Sequence, residues 1–491
     1  MRTINTILAA ALAFGMASCE LNRENFNEIY LDNFYKSEMD LKLAVTALYQ
    51  PFNCNYVDGI YYSAFAGYHV YSDMTTDVMR CTWGWDWDNM PLHTWYATSS
   101  GRDVRTLWTV FSHYNHISAA RNVIRNIESC ELSNELKQRY IAEAKALRAW
   151  MGLYQYDHFG PIPVAPDEVL DNPEQFVFLG RLSEEEYTRF MEEELLYAIE
   201  YLPATVDERG RMTKGAARML LLKFYMIQRD FTKALSVARD LYKMEAEGVY
   251  TLLSDYASVF TKEQMGNKEI VLSVSANIDY LPNYWTAASI PDDYPWPAVK
   301  ASNWGAFKVP WKFYDMYDLT DLRLQTMIVS YTNTAGKLVE RGSGSLERGA
   351  IPMKYGVDPD QSGDRSGIDM VIYRFADVLL SLAECINETN NGPTQEAIGL
   401  VNRIRGRAGL GDLNAAQTAN KTTFNEAILK ERGIEFYCEG LRRQDLIRHG
   451  KFVSVSKENA GSQSANYKTR FPIPLSFIRE SKDAIQQNPG Y

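Results

Sequence analysis

Two kinds of stretch in this chain hold residue types at spacings that could do chemistry. In ILKERGIEFYCEGLRRQDLIRHGKF (428–452), Glu431 and Glu435 stand four apart, with Arg432, Arg442, Arg443 and Asp445 close by. Paired carboxylates serve as general acid and base when their surroundings pull their proton affinities apart. Phe436, Leu441 and Leu446 argue the other way, because they imply a helix pair sunk in the body where such charges fix geometry. No catalytic residue is assigned. In HYNH, His113 and His116 stand three apart, a spacing that can offer two imidazoles to a metal. No third ligand accompanies them, and Trp108, Phe111 and Tyr114 point to helix packing. DPDQSGDRSGID (358–369) mixes carboxylates with Gly and Ser but lacks the spacing of a calcium loop. Neither a metal nor a cofactor is assigned.

The second kind is aromatic. TWGWDWDNM (82–90) puts Trp83, Trp85 and Trp87 on alternate positions, so three of the ten tryptophans fall within five residues. Sugar rings expose flat C–H faces that stack on indoles, and their hydroxyls need polar partners once desolvated. The segment supplies both, with Asn89 and the neighbouring Asp73 as hydrogen-bonding candidates. A competing reading is a half-buried strand with its indoles inward and Gly84, Asp86 and Asp88 outward, since the period is two. NYWTAASIPDDYPWPAVKASNWGAF (283–307) is similar in composition. Tyr284, Trp285, Trp296 and Trp304 are its candidates, with Asp292 and Asp293 as polar partners.

The elements that must position these residues read mostly as helix. RTLWTVFSHYNHISAARNVIRNIE (105–128) and ELKQRYIAEAKALRAWMGLYQYDHFG (135–160) carry apolar residues near a 3.6-residue period. In the second, Ala142, Ala146, Ala149 and Leu153 form a stripe small enough for close helix approach. The pair within 214–244 sets Tyr225 against Ala234, the large-against-small spacing of a tetratricopeptide unit, and 373–410 has the same shape. Residues 51–103 and 276–370 differ: they are rich in Tyr, Trp, Asn, Asp, Gly and Pro, with little helical period. Long excursions of this kind on a rigid frame are where ligand contacts belong.

Composition narrows the partners. The chain has 491 residues, 46% apolar and 23% charged, with 31 tyrosines. Its net charge is −11, from 51 basic and 62 acidic residues, which repels phosphate backbones and excludes nucleic acid as the expected partner. The first residues carry one charge (Arg2), an apolar run from Ile7 to Met16, and then Ala17-Ser18-Cys19. The run is too short to span a bilayer and reads as a secretory signal. Two small residues before a cysteine resemble a bacterial lipobox, with 1–18 removed and Cys19 acylated. The other five cysteines show no metal spacing.

Taken together, these motifs resemble the SusD/RagB family of surface lipoproteins of Bacteroidetes-type bacteria. NFYKSEMDLKLAVTALYQPF (33–52) looks like the family's first helix, SDMTTDVMR (72–80) its Thr-Thr-Asp turn, and AEAKALRAWMGLYQYDHFGPIPV (142–164) its long helix ending in Phe-Gly. Residues 428–452 resemble its Glu-Arg…Glu-Gly-x-Arg signature, and FPIPLSFIRESKDAIQQNPGY (471–491) its ending. The resemblance implies a mainly α fold: one domain over 19–491, with about four tetratricopeptide-like helix pairs as scaffold and an irregular, loop-rich lobe. It implies no catalysis. It implies capture of an oligosaccharide, or in some branches peptide or glycopeptide, on the outer face of the outer membrane. The partner is a SusC-like TonB-dependent transporter, and the membrane is touched only through the lipid anchor.

Overall fold

The computed structural model describes residues 34–54, 68–84, 87, 89–97, 110–172, 174–297 and 300–491. Cys19, the 1–18 segment and Trp85 lie outside the described residues. Helices dominate, as expected. The frame is built from α1 (Glu38–Ala47), α2 (Tyr68–Met74), α3 (Asn115–Ser129), α4 (Asn134–Phe159), α5 (Glu184–Tyr201), α6 (Lys214–Gln228) and α7 (Phe231–Ala246). A short helix α8 (Trp285–Ser289) lies in the second irregular stretch. The frame resumes with α9 (Phe375–Thr389), α10 (Gln395–Arg407), α11 (Lys421–Glu435) and α12 (Arg442–Arg448).

Local chemistry sets these boundaries. Ser133, Ser183, Thr213 and Thr394 each place a side-chain oxygen on a backbone N–H of the first turn of α4, α5, α6 and α10, satisfying a donor that the helix itself cannot. Gly160 ends α4 at φ +78, where an added Cβ would meet the Arg470 guanidinium 2.7 Å away. The expected continuous helix over 105–128 is instead interrupted at His113 and Tyr114. The N–H groups of His116 and Ile117 there bond three residues back, to His113 and Tyr114 at 2.9 and 3.0 Å, in the tighter geometry of a 3₁₀ turn.

The helices pack as consecutive antiparallel pairs: α3 on α4, α6 on α7 and α9 on α10. The alanine stripe of α4 is buried, and Tyr225 and Ala234 are buried where α6 meets α7. The two tetratricopeptide-like pairs that are distant in sequence adjoin in space, since α7 packs directly on α9. Bidentate bridges secure the seam, Arg239 to Glu396 at 2.9 and 3.0 Å and Arg403 to Glu245 at 3.0 and 2.6 Å.

The irregular excursions carry more structure than their composition suggests. Helix α2 falls within 51–103, and short strands run through the excursions and along their borders. They are β1 (Arg80–Cys81), β2 (Ile270–Val274), β3 (Lys300–Ala301), β4 (Phe307–Pro310), β5 (Met327–Ile328), β6 (Ser330–Thr332), β7 (Leu338–Glu340), β8 (Gly349–Pro352), β9 (Ser362–Gly363) and β10 (Met370–Arg374). A four-stranded sheet has the order β1-β4-β8-β5, with each neighbouring pair antiparallel. β10 pairs with β2, β6 with β7, and β3 runs parallel to β9. Among the described residues no helix is long and apolar enough to cross a membrane.

Candidate functional site: an aromatic cluster at the β1–β4 junction

The site begins with two very short strands. β1 pairs with β4 in the register Arg80↔Lys308 and Cys81↔Phe307, and the Thr82 N–H extends the pairing to the Ala306 carbonyl at 2.9 Å. From the other side, the N–H groups of Trp304 and Ala306 bond the Ala287 and Ala288 carbonyls of α8 at 2.6 and 2.7 Å. Between them Gly305 adopts φ +63, and a Cβ there would lie 2.6 Å from Pro291 Cα. Glycine is required at this crossing. After Thr82 the strand stops. Gly84 turns the chain at φ +73, so Trp83 and Trp87 do not share the face of an extended strand.

This backbone gathers rings from both aromatic segments. Trp304 stacks on Tyr284 at 6.1 Å and 13°, and Trp83 lies 6.0 Å from Trp304. Trp83 also meets Trp87 edge-on at 6.2 Å and Phe307 at 6.2 Å. Trp83 and Trp304 are half-buried and form the open side of the cluster, whereas Tyr284 and Trp87 are buried beneath, 8% and 5% exposed. Asn89 is half-buried beside them in sequence, its carbonyl accepting the Leu92 and Thr94 N–H groups at 3.2 and 3.4 Å.

Three predicted residues stand elsewhere. Trp285 points into the core, 1% exposed, edge-on to His69 at 4.9 Å and packed on Phe307 at 5.4 Å. Asp73 is fully buried and accepts the Gly440 N–H at 2.9 Å. Burial, opposed by that hydrogen bond, pushes its carboxyl up to about 7. Neither reaches the surface, because the segments that carry them are also the ones that close the core. Trp296 packs in a second, smaller apolar group with Ile290, Tyr294 and Tyr331. Of its polar neighbours, Asp292 is exposed, and Asp293 accepts from the Tyr331 hydroxyl at 2.6 Å and the Asn333 amide at 3.1 Å.

Two further polar residues border the cluster and escape sequence reasoning. Asn303, next to Trp304, accepts from the Gln361 amide at 3.1 Å, and the Ser302 N–H bonds the Gly363 carbonyl at 2.7 Å. Their proximity depends on the parallel β3–β9 pairing, which two-residue strands do not announce. Phe307 could have been found, since it closes the same segment as Trp304.

The carboxylate constellation has a different character. Arg323 donates to Glu431 and Glu435 at 2.7 and 2.9 Å, Arg374 to Glu269 and Glu439 at 2.8 Å each, and Arg407 to Glu269 and Glu435. All of these groups lie in the core. Burial alone would raise the Glu435 carboxyl, but Arg407, Arg374 and Arg323 outweigh it and hold Glu435 well below the usual carboxylate range. A carboxylate so held cannot carry a proton near neutral pH. In the 358–369 loop, Lys262 donates to Asp358 at 2.8 Å and also to Asp360, so an ammonium fills the place considered for calcium. His116, lowered to about 4 by burial and then by His113, packs edge-on to Phe52. Among the described residues no cluster of three or more His, Cys, Asp or Glu could hold a metal.

Residues 268–491 match the SusD family. The chain is 25% identical over 544 residues to SusD-like protein P25 of Formosa agariphila, covering 100% of each. Over its whole length the chain is therefore similar to SusD-like proteins. It is also 31% identical over 147 residues to the starch-binding protein SusD of Bacteroides thetaiotaomicron, which is 28% of this chain and 23% of that one. Among solved structures, the surface glycan-binding protein A of Bacteroides thetaiotaomicron in complex with laminarihexaose has a TM-score of 0.74 at 20% identity. It covers 92% of this chain and 99% of its own, a likeness of fold.

Two stretches that carry the SusD-like resemblance meet directly. Asp77 of the Thr-Thr-Asp turn takes a bidentate bridge from Arg442 at 2.9 Å on both oxygens, and Asp73 holds the Gly440 N–H. Gly440 lies at φ +77, and a Cβ there would crowd His69 Cα at 3.1 Å. The conspicuous charged signature is therefore the bracket that fixes α2 and the start of β1, just ahead of the aromatic cluster.

Proposed function

We propose that this protein captures an oligosaccharide on the open edge formed by Trp83 and Trp304 and delivers it to a SusC-like TonB-dependent transporter, without catalysing any change in it. The observation that carries this reading is the convergence of two half-buried indoles from segments more than two hundred residues apart onto one surface. Indole faces give area for stacking on sugar C–H groups, and Asn89, with Asn303 and Gln361 behind Trp304, supplies hydrogen-bonding capacity. Starch binding by one relative and a bound laminarihexaose in one structural neighbour support the ligand class.

Residues 19–491 act in this reading as one domain, held by acylation of Cys19 on the exterior of the outer membrane. Lipid anchoring confines the search for a membrane partner to a plane and raises its effective concentration. Trp85 belongs with Trp83 as a candidate contact. Affinity electrophoresis of the purified protein through gels containing laminarin, starch and host or plant polysaccharides tests the reading. Retardation by at least one glycan, lost in Trp83→Ala and Trp304→Ala, is expected. Retardation by none, or a glycan turned over by the purified protein, sinks it, and binding of peptides instead would move the ligand to the glycopeptide class.

A further inference from the structure

His93 occupies an unusual position. It is a non-glycine residue at φ +57, 2% exposed, in the left-handed region that costs a β-carbon-bearing residue on the order of 1 kcal/mol. Such strain persists only where the surroundings over-determine it. Its ring stacks on Phe452 at 4.3 Å and 19°, and both ring nitrogens are engaged. Nε2 lies 2.7 Å from the Thr75 carbonyl and Nδ1 lies 2.7 Å from the Ser464 hydroxyl. A carbonyl can only accept, so Nε2 carries the proton and Nδ1 accepts from Ser464. Burial, outweighing the Thr75 hydrogen bond, lowers the ring to about 4 and keeps it in this neutral form.

The two partners sit at informative places. Thr75 precedes the aromatic segment and His93 follows it, so this one bond closes the base of the stretch that carries Trp83, Trp87 and Asn89. On both sides of His93 the chain is pinned again. The Ser456 hydroxyl donates to the Pro91 carbonyl at 2.7 Å, the Trp95 indole donates to the Tyr491 hydroxyl at 2.9 Å, and Lys468 donates to the Trp95 carbonyl. Closing a long loop at its base removes most of the conformations through which its tip could drift.

We infer that His93 is a positioning residue for the aromatic cluster: its imidazole, donating to Thr75 and accepting from Ser464, fixes the base of the 75–93 stretch and so holds Trp83 against Trp304. The role in binding rests on the proposed glycan site, and the role in fixing the segment does not. Binding energy from a preformed indole pair is spent on ligand rather than on ordering the loop.

The test uses the full chain and His93→Asn, since asparagine tolerates the left-handed backbone but cannot span both partners. Hydrogen exchange is read at the amides of 82–84, 89, 90 and 92 and, as internal control, along α4. Exchange in the aromatic segment should quicken at least tenfold with α4 unchanged, and retention by laminarin, or by starch where laminarin is not retained, should weaken about tenfold. Ser464→Ala should give a smaller shift of the same kind, and it carries the test alone where His93→Asn does not fold. Unaltered exchange at 82–84, 89, 90 and 92 overturns the positioning role. Quickened exchange with unchanged glycan retention overturns its bearing on binding. Trp83→Ala and Trp304→Ala that leave retention intact overturn the glycan reading instead, so the two failures are distinct.

Discussion

The charged constellation around Glu431–Arg448 and the aromatic constellation around Trp83 and Trp304 both look chemical in sequence, and the structure gives them opposite fates. In the first, Glu435 faces Arg323, Arg374 and Arg407, and all four groups are buried. In the second, two indoles remain only half-buried. Charge removed from water must be neutralised in place, and a network so satisfied has no capacity left for a substrate. Apolar rings carry no such debt and can stay open. The useful contrast between the regions is access rather than reactivity.

The sharpest way to break this contrast is at Glu435. Glu435→Gln leaves three buried guanidiniums short of one negative charge, and a loss of about 3–5 kcal/mol is expected. Urea unfolding measures it, and a loss below about 1 kcal/mol would mean the network is slack. Next come the indoles. Trp285→Ala should cost roughly 3–5 kcal/mol of stability because it empties a core site. Trp83→Ala or Trp304→Ala should instead cost about 1–3 kcal/mol of glycan affinity at smaller expense to stability. Calorimetry and unfolding on the same samples separate the two, and the contrast fails if all three behave alike.

Acid should attack the charged region first. Burial raises Asp377, but Lys223 at 2.5 Å and Arg432 at 2.8 Å outweigh it and hold the carboxyl at about 2, below its ordinary 3.8. A depressed carboxyl contributes stability that is fully present above its unfolded value and is lost as pH falls towards and through 2. The contribution is on the order of 2 kcal/mol. Melting temperature followed from pH 6 to 2 should fall mainly below pH 4, and Asp377→Asn should flatten that limb. The smallest effect expected is at Lys308, buried beneath the cluster and lowered to about 8 by burial. Its ammonium donates to the Gly305 and Phe307 carbonyls at 2.5 and 3.1 Å and makes no ion pair among the described residues. Lys308→Met should raise stability by about 1 kcal/mol while loosening the turn after Trp304. A drop in melting temperature would show that the carbonyl bonds outweigh the buried charge.

How legible each region was follows from the range of its interactions. The frame rests on 3.6-residue periodicity, so the α4 stripe and the Tyr225–Ala234 contact could be read from neighbouring letters. The signature at 428–452 was recognisable, but its partners Arg323, Arg374, Glu269 and Arg407 come from four other places in the chain with no local signal. In the aromatic region, composition singled out the two stretches whose rings meet. It could not rank their residues: Trp285 and Trp304 stand nineteen positions apart in one segment, yet one fills the core and the other the surface. Their fates turn on α8, β4 and the left-handed Gly305, features of one to five residues that carry little pattern of their own.

The sequence by itself determined the helical frame, the caps that bound it, the motifs shared with SusD-like proteins and the two segments rich in rings. Those properties are encoded in spacing and residue type within a few turns of chain. Only the tertiary structure decided that Trp83 would meet Trp304, that Asp73 and Trp285 would be lost to the core, and that the His93 ring would bridge Thr75 and Ser464. Each of those outcomes depends on which distant backbone supplies a hydrogen-bond partner, and burial follows from that choice rather than from the residue's own chemistry.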